Sequence, residues 1–223
     1  MGNFDNLTYV YLVRHSPVDA PVNTCYGASD LGCEPQAFLN AVARISALLP
    51  AHCQFISSPL VRCSTLAAAL AAPRAATVRL DPRWQERNCG AWENKNWDDV
   101  PRHELDAWAT DFMDYAAPSA ESVRTMQHRV LAAWAEVCTE IMASQTESQA
   151  GSQTKSGTGS QKTSKFKNWV ILSHAGPIQL LLKHLQGHTT GTVLTPPASI
   201  TRLELRCPLD QNIGFELVEM SQL

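Results

Sequence analysis

Three short apolar runs in this sequence each lead straight into an ionisable residue and a turn. TYVYLVR at 8–14 ends on Arg14 and His15, QFIS at 54–57 leads through Ser57, Ser58 and Pro59 to Arg62, and NWVILSH at 168–174 ends on Ser173 and His174. Each run is short and rich in β-branched or aromatic residues, the pattern of a buried strand. TVRL at 77–80 reads as a further strand, and 199–206 and 212–219 as two closing strands around CPLDQN. Helical spacing fills the intervals at 36–49, from Pro59 to about Ala72, and from Pro177 to about Leu185. A long amphipathic stretch over 119–143 puts Val123, Val130, Trp134, Val137 and Ile141 on one side. Ser58 suits the N-cap of the helix that Pro59 opens, and Pro59 its first turn. Alternating strands and helices predict an α/β fold, a three-layer α/β/α sandwich around a mainly parallel sheet.

In a parallel sheet the three strand ends lie on one edge, the edge where open α/β folds place ligands. Helices starting at Pro59 and Pro177 would aim backbone N–H groups at the same edge, which favours an anion. Two Arg, two His and two helix N-termini together describe a pocket for a phosphate-sized anion. Taken singly, a His after a strand or an Arg near a helix start has an ordinary structural explanation. The matched positions argue for a site, and they leave the reaction open.

The whole chain sets outer limits. Its 223 residues are 44% hydrophobic, enough for a single domain over 1–223 with its own core. A net charge of −3 provides no basic field for nucleic acid or an anionic membrane surface. The start, MGNFDNLTYVYLVRH, has neither the pattern of a signal peptide nor that of an anchor. Seven Cys, an odd number without a C-x-x-C pair, point to a reduced, cytoplasmic compartment rather than a disulfide framework. Cys25 and Cys33 read as small apolar fillers. Residues 144–165, SQTESQAGSQTKSGTGSQKTSK, have almost nothing to bury and read as a disordered insertion loop.

Four motifs resemble those of one family. LVRHSPV at 12–18 is similar to the RHG motif of the histidine phosphatase superfamily, the phosphoglycerate mutase-like proteins. SSPLVRCSTLAAAL at 57–70, WQERNCGAWENKNWDDV at 84–100 and ILSHAGPIQLLL at 171–182 resemble its remaining signatures, in the right order. The resemblance implies that His15 is the nucleophile, forming a phosphohistidine. Arg14, Arg62 and His174 would hold the phosphoryl oxygens. Glu86 would serve as general acid and then general base, with Glu93 as the second choice for that role. No cofactor or metal is implied, and the partner is a small phosphorylated substrate.

CYGASDLG at 25–32 and SAESVRTMQHRV at 119–130 are similar to stretches of the α-ribazole phosphatases, which act on α-ribazole 5′-phosphate in cobalamin assembly. That resemblance adds Tyr26, Gly27 and Ser122 as pocket contacts, with Trp84 and Trp92 available to stack on a flat base. The chain departs from the family pattern at Ser16, Asn94 and Ala120, each standing where Gly is usual, and Asn23 meets the usual loop Asn only in a shifted register. The alternatives are a broad-specificity or protein-phosphohistidine phosphatase, a mutase, or an inactive phosphate-binding module. The oligomeric state stays open, a dimer included.

Overall fold

The structure, a computed structural model, describes residues 7–150, 168–187, 194–206 and 216–222. In chain order the elements are β1 (Leu7–Arg14), β2 (Thr24–Cys25), α1 (Pro35–Leu48), β3 (Gln54–Ser57), α2 (Val61–Ala71), β4 (Val78–Leu80) and β5 (Lys95–Asn96). They continue with α3 (Arg102–Thr110), α4 (Val123–Ala150), β6 (Asn168–Ser173), α5 (Ala175–Leu185), β7 (Ile200–Arg206) and β8 (Glu216–Gln222). The main sheet runs β4-β3-β6-β1-β7-β8. Its first four strands are parallel, while β7 and β8 add on antiparallel beside β1.

Side chains alternate across each strand, so every buried strand feeds two cores. Val10, Leu12 and Ile171 face one side, with Val130, Val137 and Ile141 of α4 and Leu181 of α5. Tyr11, Val13, Val170 and Leu172 face the other, with Ile45 of α1 and Leu66 and Leu70 of α2. These are the three layers that the alternation of strands and helices predicts. A third, smaller cluster of Cys25, Cys89, Trp92, Val100 and Ala117 lies beside the two-stranded β2–β5 sheet. Among the described residues no helix is long and apolar enough to cross a membrane.

Several helix boundaries differ from the sequence reading: α5 starts at Ala175 rather than Pro177, α4 starts at Val123 rather than 119, and two further differences have clear causes. α2 starts at Val61, not at Pro59, and its N-cap Leu60 has no side-chain bond. Ser58 stays extended because a following proline disfavours the helical region. There the Leu172 carbonyl accepts its N–H at 2.9 Å. The carboxylate that serves this helix start comes from elsewhere: Asp30 Oδ1 accepts the Val61 N–H at 2.6 Å. α4 runs to Ala150, well inside the stretch read as a disordered insertion. A helix already nucleated propagates cheaply through Ser, Gln, Thr and Glu. The rest of that stretch, and positions 212–215 of the second closing strand, fall outside the described residues.

Candidate active site

The register of the sheet assembles the site. Arg14 pairs with Ser173 across β1 and β6, so His15 and His174 leave neighbouring strand ends side by side. The His15 N–H donates to the Ser173 carbonyl at 3.2 Å, and the two imidazole centroids lie 5.1 Å apart at 59°. β3 runs along the other flank of β6 and delivers Ser58, then Arg62 in the first turn of α2. His15, His174, Ser58 and Arg62 are all buried.

Hydrogen bonds fix both imidazoles, and in opposite tautomers. His15 Nδ1 lies 2.6 Å from the Ser16 carbonyl, which can only accept, so Nδ1 carries the proton and Nε2 keeps a free lone pair. Arg62 Nε–H donates to His174 Nδ1 at 3.2 Å, so the proton of neutral His174 sits on Nε2, 2.9 Å from Ser58 Oγ. Burial holds the His15 imidazole down to about 3, with Arg62 and Arg14 adding to the effect against the opposing Ser16 bond. His174 is held well below the ordinary histidine range, first by burial and then by Arg62, His15, Arg129 and Arg14. A neutral ring with a bare nitrogen in a cationic pocket can attack an electrophile that carries negative charge.

Arg62 is the buried cation of this pocket. Nη1 donates to the Ser29 carbonyl and Nη2 to the Gly27 carbonyl, both at 2.6 Å, and Tyr26 lies 5.3 Å beneath the guanidinium. Tyr26 and Gly27 thus meet Arg62. Gly27 has φ +38°, and a Cβ there would lie 2.6 Å from Glu93 Oε1, so only glycine fits. Arg14 reaches the same edge, donating through Nη1 to the Thr195 carbonyl at 2.6 Å.

Glu86 and Glu93 separate clearly. Glu86 Oε2 accepts the Gly176 N–H at 3.2 Å, in the first turn of α5 just past His174, and Oε1 accepts the Arg87 N–H at 2.9 Å. Glu93 instead binds the backbone of the 26–29 loop. One N–H at each helix start is therefore taken by a carboxylate, that of Val61 by Asp30 and that of Gly176 by Glu86. Gly176 is needed for room: a Cβ there would collide with Glu86 Oε1. Trp84 and Trp92 are fully buried in the cores and cannot stack on a ligand. Trp92 packs instead among Trp97, Trp108 and Tyr115.

Arg129 escaped the sequence reading, and Ser122 has a different role from the pocket contact expected of it. Arg129 donates to the carbonyls of Arg83 (2.8 Å), Gln85 (2.7 Å) and Glu86 (3.1 Å) and pairs with Glu121, bracing the segment that carries Glu86. Ser122 Oγ accepts the Thr125 N–H at 3.1 Å and caps α4. The 119–130 motif is therefore a brace and a cap, and it supports the site without naming a substrate. The departures at glycine positions also find reasons. Ser16 adopts an ordinary negative φ, and Asn94 takes φ 61°, a left-handed conformation that Asn tolerates. Asn23, also left-handed, bonds Asn96 and Asp98 and does not turn to the pocket.

Burying two neutral imidazoles makes stability depend on pH. Above the ordinary value of 6.5 both states leave His15 neutral; below it the unfolded chain takes a proton that the folded chain refuses until about pH 3. Stability therefore falls with pH through this window, by about 2 kcal/mol near pH 5 for His15 alone. Chemical unfolding near pH 7.5 and pH 5 should show this loss in the wild type and a loss smaller by about that amount in His15→Gln.

The model of the histidine phosphatase superfamily (branch 1) matches residues 10–145. Among solved structures, mycobacterial hydrolase 1 superposes with a TM-score of 0.68 at 21% identity, covering 96% of this chain and 96% of that one. Mycobacterial glucosyl-3-phosphoglycerate phosphatase gives 0.64 at 21% identity over 96% of each chain. YhfR of Bacillus stearothermophilus gives 0.66 at 18% identity over 95% of each. At such identities these likenesses show a shared fold. The comparison with curated proteins gave no match. The family model spans more than half of the chain and all of β1 to α3 except the first strand's opening residues, and the chain belongs to the histidine phosphatase superfamily.

Proposed function

We propose that this chain is a metal-independent phosphomonoesterase that works through a phosphohistidine on His15. The observation that carries the reading is the pair of buried, neutral imidazoles in opposite tautomers between two arginines. His15 Nε2 attacks phosphorus with its free lone pair and the bond to the leaving oxygen breaks. Glu86 gives that oxygen a proton. Water then attacks phosphorus, passes its proton to the Glu86 carboxylate, and the P–N bond breaks to release inorganic phosphate. Arg14 and Arg62 balance the charge of the transferring group, and His174 contributes an N–H dipole. The pocket needs no metal in this scheme because two guanidinium groups supply the positive charge.

The substrate is a small phosphomonoester. α-Ribazole 5′-phosphate is the first to test, on the resemblance of 25–32 and 119–130. Tyr26, Gly27 and Ser122 brace the site of any phosphomonoester equally well, so glucosyl-3-phosphoglycerate, for which a structural relative is named, is the second.

Phosphate release from these two and p-nitrophenyl phosphate, with EDTA present, should persist in the wild type and fall at least ~10³-fold in His15→Ala. Activity lost to EDTA, or kept without His15, contradicts the proposal. Phosphoryl exchange between phosphoglycerates with little net phosphate release would indicate a mutase. Gly176→Ala should lower kcat by roughly 10²-fold while the protein stays folded, because the new methyl displaces Glu86. Steady-state kinetics alongside thermal melting checks this, and a kcat within twofold of wild type would show that Glu86 does not need its place on α5.

A further inference from the structure

Glu93 has no part in the proton transfers above, yet three donors converge on its carboxylate. Oε1 accepts the N–H of Ala28 at 2.8 Å and that of Cys89 at 2.9 Å, and Oε2 accepts the Ser29 hydroxyl. Asn94, the next residue, donates its N–H to the Cys25 carbonyl at 2.6 Å and its Nδ2 to Ser29 Oγ at 3.1 Å. Glu93 therefore joins the 26–29 loop to the 86–89 turn that carries Glu86.

The Ala28 bond has a particular consequence. The Ala28 N–H and the Gly27 carbonyl belong to one peptide unit, which is planar, with the two groups pointing in opposite directions. Glu93 holds the N–H end of that plane, and Arg62 Nη2 is held by the C=O end. Fixing the carboxylate thus fixes the direction of the carbonyl that holds the guanidinium. The negative charge also polarises the peptide, strengthening the bond to Arg62. The second carbonyl on Arg62 belongs to Ser29, whose hydroxyl Glu93 also holds.

Arg62 has five N–H groups, and three are committed: to His174 Nδ1, Ser29 O and Gly27 O. Two remain, one on each terminal nitrogen, as a fork for two oxygens of one anion. A long, flexible side chain holds such an aim only if its partners are rigid. Among the described residues no carboxylate bonds Arg62 directly, so its aim rests on carbonyls that Glu93 orients.

We propose that Glu93 is a positioning residue that aims the Arg62 fork at the transferring phosphoryl group through the Gly27 and Ser29 carbonyls. This rests on the phosphatase reading, in which Arg62 binds the phosphoryl oxygens. Glu93→Ala should lower kcat/KM for a phosphomonoester by about 10²-fold and weaken orthovanadate inhibition comparably. Glu93→Gln should recover most of both, because its amide oxygen still accepts the Ala28 and Cys89 N–H groups. In an Arg62→Ala background, adding Glu93→Ala should cost less than about threefold, since the residue it aims is gone.

A purely structural Glu93 gives a different pattern, with a lowered melting temperature and the same fold-loss in both backgrounds. That additive result, or a Glu93→Ala protein with wild-type vanadate affinity, overturns the proposal. Inorganic phosphate binding by calorimetry reads the aim of Arg62 without turnover. Phosphate affinity that falls in Glu93→Ala and Arg62→Ala, in a protein whose turnover survives His15→Ala, would refute the phosphohistidine reading and uphold the role of Glu93. Phosphate affinity unchanged in Glu93→Ala overturns that role whatever the mechanism.

Discussion

Arg62 is a cation buried beneath the surface with no carboxylate bonded to it among the described residues, and much of the site is arranged around that fact. An unpaired buried charge is costly, and what tolerates it here is a set of oriented dipoles: two carbonyls, one imidazole nitrogen and an aromatic face. The arrangement leaves the positive charge unspent. A neutralising carboxylate in direct contact would compete with any incoming anion, whereas carbonyls hold the guanidinium in place and leave two N–H groups to bind.

The same cation settles the chemistry of the histidines. By donating to His174 Nδ1 it selects that ring's tautomer, and with Arg14 it reinforces the burial that keeps both rings neutral. The parallel register of β1 and β6 then places the two rings together, with the Ser16 carbonyl fixing His15 the other way round. Sheet, tautomer and charge are thus linked: shifting β1 by one residue would send His15 to the opposite face of the sheet.

The strands, the shared edge and the four ionisable residues at it were legible because period and position carry them. TYVYLVR, QFIS and NWVILS each have an apolar centre of strand length, and a parallel sheet leaves their ends one place to go. What was not legible depends on contacts distant along the chain. Ser58 looks like an N-cap locally, but its N–H is taken by the Leu172 carbonyl on β6 and α2 begins three residues later. Asp30 caps α2 from a preceding loop, and Arg129 reaches back from α4 to the segment of Glu86. Glu86 and Glu93 have similar local surroundings in sequence; the N–H groups that meet each carboxylate tell them apart. Trp84 and Trp92 could be read as stacking surfaces because sequence does not show which aromatic residues the cores absorb.

The most direct test of the central claim is to trap the phosphoenzyme by rapid quench and map the modified residue by mass spectrometry. The account predicts an acid-labile, alkali-stable phosphate on His15 that forms and decays fast enough to carry turnover. Turnover with no such intermediate, or with the phosphate on His174 or any other side chain, would contradict it.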